Sequence, residues 1–170
     1  MTTWLVVFAL VVALVVANAL WLVATANRLD RLHVRMDAGW AALDAALARR
    51  AVVARTVAAS VLRGEDAEVL RAAADLAELA PRPERESAEN ELTRRLAEVD
   101  RRTLPAGLAD ELTDAEERVV IARRVYNDAV RDTLALRRRR RVRYFRLAGT
   151  ARRPEYFEIA EPDPATPPKT

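Results

Sequence analysis

The 170-residue chain contains no cysteine, and His33 is its sole histidine. A disulfide framework, a thiolate zinc site and a cysteine nucleophile are excluded, and no histidine cluster is available for a metal. The four glycines are scattered, so no phosphate-cradling loop is present. Glycine and proline (4 and 8 residues) are too few for a loop-rich or all-β protein of this length. The only serines, Ser60 and Ser87, lie outside any nucleophile-elbow motif. Glu89 and Glu91 are two apart, and Glu116 and Glu117 are adjacent. Neither pair shares a helical face, and both read as solvated helix surface. Catalysis needs a nucleophile, an acid/base pair or a metal in a pocket. The sequence offers none, so the expectation is a non-enzyme without a cofactor. Lysine is nearly absent as well: Lys169 is the only one among 28 basic residues, the rest being arginine.

What remains is a helix-former's composition, rich in Ala, Leu, Glu and Arg. Residues 1–27 carry no charge, and residues 4–26 form an apolar run interrupted only by Asn18 and Thr25. As a helix this run is roughly 34 Å long, enough for a hydrocarbon core of about 30 Å. Trp4 and Trp21 lie toward its ends, where indoles favour the headgroup interface. The competing reading is a cleaved signal peptide, with Ala24-Thr25-Ala26 as the cleavage site. Met1-Thr2-Thr3 lacks the basic start that reading requires, which favours a retained span. No base precedes the run, whereas Arg28, Arg31 and Arg35 follow it, so an external N-terminus and a cytoplasmic remainder are expected. Ala9, Ala13 and Ala17 form a small-residue stripe. It reads either as a surface for homo-oligomerisation through the span or as alanine filling an apolar helix. Asn18 lies off the middle of that stripe and bonds either a partner helix or its own backbone.

Past the span, apolar residues recur three or four apart at Leu29, Leu32, Met36, Trp40, Leu43, Leu47, Val57 and Val61. One helix is expected to run to about Leu62, with Gly64 as its stop. A second begins at Asp66, shows Val69, Leu70, Ala73, Leu76 and Ala77, and ends at Pro81-Arg82-Pro83. A third starts near Ser87 as N-cap and shows Leu92, Leu96 and Val99 before Leu104-Pro105-Ala106-Gly107 breaks it. A fourth spans 109–146 on a 3.5-residue seam: Leu112, Ala115, Val119, Ala122, Tyr126, Ala129, Thr133 and Leu136. Gly149 and Pro154 end it. The expected architecture is all-α: a transmembrane helix continuing into an antiparallel four-helix bundle of two long and two short helices. The bundle occupies 28–147, residues 148–160 pack on it, and the Pro-rich tail 161–170 is disordered.

Charge is polarised along the chain. Arg137, Arg138, Arg139, Arg140 and Arg141 are consecutive, Arg143, Arg146, Arg152 and Arg153 follow, and no acid lies between Asp132 and Glu155. That window carries nine positive charges, leaving −6 for the rest of the chain. Residues 64–118 hold 16 acids against 8 arginines. Short loops make neighbouring helices antiparallel, which brings the arginine end back toward the membrane.

The residues resemble a known family. Asn27-Arg28-Leu29 is followed by Asp37-Ala38-Gly39-Trp40-Ala41-Ala42-Leu43-Asp44 and Leu47-Ala48-Arg49-Arg50. Later come Ala88-Glu89-Asn90-Glu91-Leu92, then Arg123-Arg124-Val125-Tyr126-Asn127-Asp128-Ala129-Val130, then Pro154-Glu155-Tyr156-Phe157-Glu158. Over residues 20–158 this resembles the LemA family of bacterial membrane proteins. The resemblance implies a single-pass protein with a cytoplasmic four-helix bundle and no assigned catalytic residue. Its motif residues here are Glu89, Asn90, Arg123, Arg124, Tyr126 and Asn127. Two departures stand out. Val52-Val53-Ala54-Arg55 replaces the family's Leu-Ile-Pro-Asn, which removes a kink from helix 1, and the arginine run replaces a Phe-Pro.

The functional expectation is a membrane-anchored scaffold. Its acidic distal hairpin faces an unknown cytoplasmic protein partner. Its arginines (137–141, 143 and 146) lie on the anionic inner leaflet, at about 1 kcal/mol each when close to the surface. The alternative is a tethered nucleic-acid binder using the same run with Tyr144 and Phe145. Tyr126 is expected on the seam with its hydroxyl bonded to a neighbouring helix, and Asn127 and Asp128 in solvent, with a small docking surface formed by the three as the less favoured reading. Tyr156 and Phe157 either fold back on the bundle or insert at the interface. His33 reads as an inert surface histidine, with a pH sensor as the less favoured reading.

Overall fold

A computed structural model describes residues 2–145 and 153–160. Among them the regular elements are all helices: α1 (Thr2–Val61), α2 (Gly64–Leu79), α3 (Arg85–Ala97), a 3₁₀ turn (Arg101–Thr103), α4 (Ala106–Arg137) and α5 (Arg140–Tyr144). The chain divides into two compact units. One comprises Met1–Asp37 with Asp128–Glu155, the other Ala38–Asn127 with Tyr156–Thr170. The span 28–147 expected as one bundle is thus shared between them.

In the 38–127 unit, four helical stretches contribute to one core. α1 gives Ala51, Ala54 and Val57, α2 gives Leu70, Ala74 and Ala77, α3 gives Leu92 and Leu96, and α4 gives Leu108, Leu112 and Ala115. The three-and-four spacing of these residues is why each helix forms: it gathers the apolar side chains on one stripe. α1 runs uninterrupted through 52–55, as the missing proline predicts. Leu62 and Arg63 alone separate α1 from α2. Gly64 does not end α1 but opens α2 with φ +58°, a left-handed conformation that disfavours side chains. Ser87 is not an N-cap. α3 begins two residues earlier, at Arg85, and the Ser87 hydroxyl donates to the Glu84 carbonyl at 3.1 Å. Gly107 likewise lies inside the first turn of α4 rather than in a break.

In the other unit, Leu29, Leu136 and Val142 form a small buried cluster. The α4 seam is buried from Leu112 to Leu136, with Ala122 half-buried. It does not continue as one helix to 146. α4 ends at Arg137, Arg139 is extended (φ −61°, ψ 132°), and α5 restarts at Arg140. An unbroken helix would carry the seam onto Arg140 and Arg143. The break instead turns Val142 inward and leaves both arginines in solvent. Gly149 and the tail 161–170 lie outside the described residues.

Candidate functional site

Two constellations stand out, one in each unit. The first is the arginine-bearing end of the chain. Trp4, Ala9, Ala13, Ala17 and Asn18 are all exposed on α1 and Trp21 is half-buried. The apolar window of this helix has a mean hydropathy of 2.8 and no side chain buried within the protein. It is long and apolar enough to cross a membrane. Thr25 donates its hydroxyl to the Trp21 carbonyl at 2.8 Å, which satisfies the polar group within the helix. Arg138, Arg139, Arg140, Arg141 and Arg143 are exposed, Arg137 is half-buried, and Arg146 lies outside the described residues. The Arg141 guanidinium stands 5.3 Å from the centre of the Trp21 ring, within cation–π range. Arg140, Arg143 and Tyr144 line a shallow open depression. Tyr144, 83 % exposed, meets Phe145 edge-on with ring centres 5.1 Å apart. Elsewhere in this unit Arg35 pairs with Asp132 at 3.5 Å and Arg131 with Asp128 at 2.9 Å. His33 is half-buried on α1.

The second constellation is built on buried charge in the 38–127 unit. Arg50 on α1 (1 % exposed) meets Glu89 on α3 (0 % exposed) at 2.6 Å. The same guanidinium donates to the Glu89 carbonyl at 3.3 Å and to the Thr93 hydroxyl at 3.1 Å. Arg85 donates to the other Glu89 oxygen at 3.1 Å, pairs with Asp44 at 3.1 Å, and reaches the Glu78 carbonyl at 3.2 Å. The four charges balance. A carboxylate so placed accepts from two guanidinium groups, which offsets its desolvation. Glu89 is therefore not a solvated face residue. Neither is Glu116, which is buried with both oxygens 2.7 Å from Arg101.

Next to this network lies an aromatic nest. Trp40 meets Tyr126 and Phe157 edge-on, at 5.5 and 5.6 Å between ring centres. Arg82, from the connection between α2 and α3, lies 3.9 Å above the Trp40 ring and donates to the Tyr126 hydroxyl at 2.6 Å. The Tyr126 hydroxyl thus accepts from the connection between α2 and α3. A Cβ added at Gly39 would stand 3.3 Å from the Tyr126 Cα, so the glycine permits a close approach of α1 and α4 here. Asn127 is not in solvent. Its amide donates to the Phe157 carbonyl at 3.0 Å and its oxygen accepts from the Phe157 N–H at 2.9 Å. The Glu158 N–H donates to Glu86 at 2.8 Å and the Ala160 N–H to Asn90 at 2.7 Å. Phe157 folds back and is buried, while Tyr156 stays 42 % exposed.

No family model, curated protein or solved structure matches this chain.

Of the residues singled out from sequence, the structure brings Asn127 onto Phe157 and Asn90 onto Ala160, sets Tyr126 against Trp40, and places Glu89 in the charge network. Arg123 is half-buried and Arg124 exposed, and both are engaged in interactions. Among the described residues no acidic or histidine cluster is arranged to hold a metal. The acids of the α2–α3 hairpin are mostly matched by arginine. Arg55 pairs with Asp75 and Glu78, Arg71 with Glu68, and Arg94 and Arg95 with Glu91. The Arg95 side chain holds the Glu91 carboxyl below its ordinary range, and Arg102 does the same for Asp100. Glu65 and Asp66 stay exposed and line an open cleft with Leu62, Val69 and Val99. Arg50, Arg85, Glu86 and Arg82 were not anticipated as a group. The signal was present for two of them: Arg50 continues the stripe Leu43, Leu47, Ala54, Val57, and Arg85 continues Glu89, Leu92, Leu96.

Proposed function

We propose that this protein is a membrane-anchored helical scaffold of the LemA type, with no catalytic role. The apolar part of α1 spans the bilayer with its N-terminus outside, and the rest forms an antiparallel four-helix bundle in the cytoplasm. The α2–α3 hairpin, with its cleft at Glu65 and Asp66, faces a protein partner. The arginines from Arg137 onward lie on the anionic inner leaflet. One observation carries this reading: the Arg141 guanidinium lies over Trp21, at the end of the exposed apolar helix. Indoles concentrate at the headgroup level, and a guanidinium at that depth meets lipid phosphates. Three or four such contacts contribute a few kcal/mol, at about 1 kcal/mol each.

The absence of cysteine makes the test clean. A Tyr144→Cys chain labelled with a fluorophore is placed in nanodiscs of zwitterionic or phosphatidylglycerol-containing lipid. Quenching by acrylamide, a neutral quencher that a charged surface does not repel, is expected to fall in the anionic discs. The triple variant Arg138→Glu, Arg139→Glu, Arg140→Glu abolishes the difference. Equal quenching in both discs overturns the lipid contact. The second reading, a tethered nucleic-acid binder, draws on the exposed Tyr144 ring among arginines, which is a stacking platform in a basic setting. Co-purification from solubilised membranes before and after nuclease separates the two. A protein set that survives digestion supports the scaffold, and nucleic acid with a set that vanishes supports the alternative.

A further inference from the structure

Residues 156–160 are held as a bound peptide is held. They lie outside any helix, and burial alternates: Phe157 and Ile159 are buried, whereas Tyr156, Glu158 and Ala160 face out. That is the period-two pattern of a strand, yet no strand lies beside it among the described residues. Side chains take the strand's place. Asn127 bonds both the N–H and the carbonyl of Phe157, as a neighbouring peptide group does. Glu86 and Asn90, four apart on α3, take the N–H groups of Glu158 and Ala160. All four bonds go to main-chain atoms, so they select an extended backbone and no particular sequence. Selection lies with the two buried side chains, and the Phe157 ring is received by Trp40.

We propose that this groove, framed by Trp40, Glu86, Asn90 and Asn127, is a docking site for an extended polypeptide. Its ligand carries an aromatic and a branched aliphatic residue two positions apart. The chain's own 156–160 fills the groove in cis, and a partner protein's segment of that pattern replaces it. The mode is that of strand addition, with asparagine and glutamate side chains in place of a sheet edge. Tethering gives the resident segment an effective concentration on the order of 1 mM, so it excludes weak competitors and yields to strong ones. This inference goes beyond the lipid contact and does not rest on it.

The test uses the full chain in detergent, without lipid. A fluorescein-labelled peptide of residues 153–160 is titrated against wild type and against a Phe157→Ala/Ile159→Ala chain whose groove is emptied. Helical circular dichroism serves as the folding control. The peptide is expected to bind the emptied chain at least ~10-fold more tightly than wild type, whose tethered segment competes. Adding Asn127→Ala weakens that binding about tenfold or more, because two backbone bonds are lost. A peptide with alanine in place of its phenylalanine does not bind. Equal affinity for both chains, or binding indifferent to Asn127→Ala, overturns the proposal. If the emptied chain unfolds, wild type decides. Unlabelled peptide at about 1 mM displaces half of the resident segment and accelerates hydrogen exchange at amides 157, 158 and 160. Unchanged exchange overturns the proposal.

Discussion

Arg50 and Arg140 show the same side chain put to opposite uses. Arg50 is enclosed among α1 and α3, donates hydrogen bonds to Glu89 and Thr93, and belongs to a set of four charges that cancel. Arg140 stands in solvent within a run of five arginines, at a helix restart that keeps charge off the apolar seam. In the first setting the guanidinium is a structural element whose worth depends on its partner. In the second it is a field source, whose worth depends on what anion approaches and how much salt screens it. Arginine suits both settings because it stays charged when buried and offers a planar fork of donors.

The comparison breaks most visibly at Glu89. Glu89→Gln removes a charge that answers Arg50 and Arg85. Destabilisation of about 3–5 kcal/mol is expected, read as a lower denaturation midpoint of the helical signal in detergent. The double variant Arg50→Met/Glu89→Leu replaces that pair with apolar side chains. It should recover much of the loss, since well-packed replacements of buried ion pairs are often neutral. A double variant no better than Glu89→Gln would mean that packing rather than charge sets the cost.

The solvent-side arginines give the next largest effect. Arg138→Glu, Arg139→Glu and Arg140→Glu together should remove a few kcal/mol of leaflet attraction while leaving the melting midpoint nearly unchanged. A large stability loss would show that the run is structural after all. Arg82 is intermediate in kind, neither enclosed nor free. Arg82→Ala should cost about 1–2 kcal/mol, through one hydrogen bond and one stacked cation. Tyr126→Phe isolates the hydroxyl share of that loss. The smallest effect is with pH. Glu91 and Asp100 have depressed carboxyl pKa values in the folded chain because Arg95 and Arg102 bond the ionised forms. Their stabilisation is complete above the unfolded pKa of about 4 and is lost as pH falls through the lower folded value. Carboxyl titration followed by NMR should therefore show midpoints below the ordinary values, and both pairs are exposed enough for salt to weaken the effect.

The helices were legible because their signals are local. Leu112 to Leu136 declares a buried stripe, and Pro81-Arg82-Pro83 declares an end. The break at Arg139 was hidden, because nothing among five arginines marks one as extended. It becomes intelligible once Val142 is seen beside Leu29. The charge network was hidden for a different reason. A glutamate at a core position reads as surface until its partner is known, and Arg50 lies 39 residues away in sequence. The clasp on Phe157 was only half legible. The aromatic pair suggested a fold-back, but an alternation over five residues is too short to declare a strand, and the asparagine that holds it lies 30 residues earlier.

Alanine supplies eight of the seventeen buried members of the main core cluster. Such helices present smooth, repetitive surfaces, and sliding one past another by a turn of about 5.4 Å changes the apolar contact little. A slip of one turn would set Glu89 against Ala46 or Ala54 instead of Arg50. A carboxylate facing methyl groups loses several kcal/mol, far more than the alanines can return. The Arg50–Glu89 pair therefore acts as a keyed notch on an otherwise ungraduated scale: it fixes the alignment of α1 with α3, and with it the placement of Asn90 one residue further along.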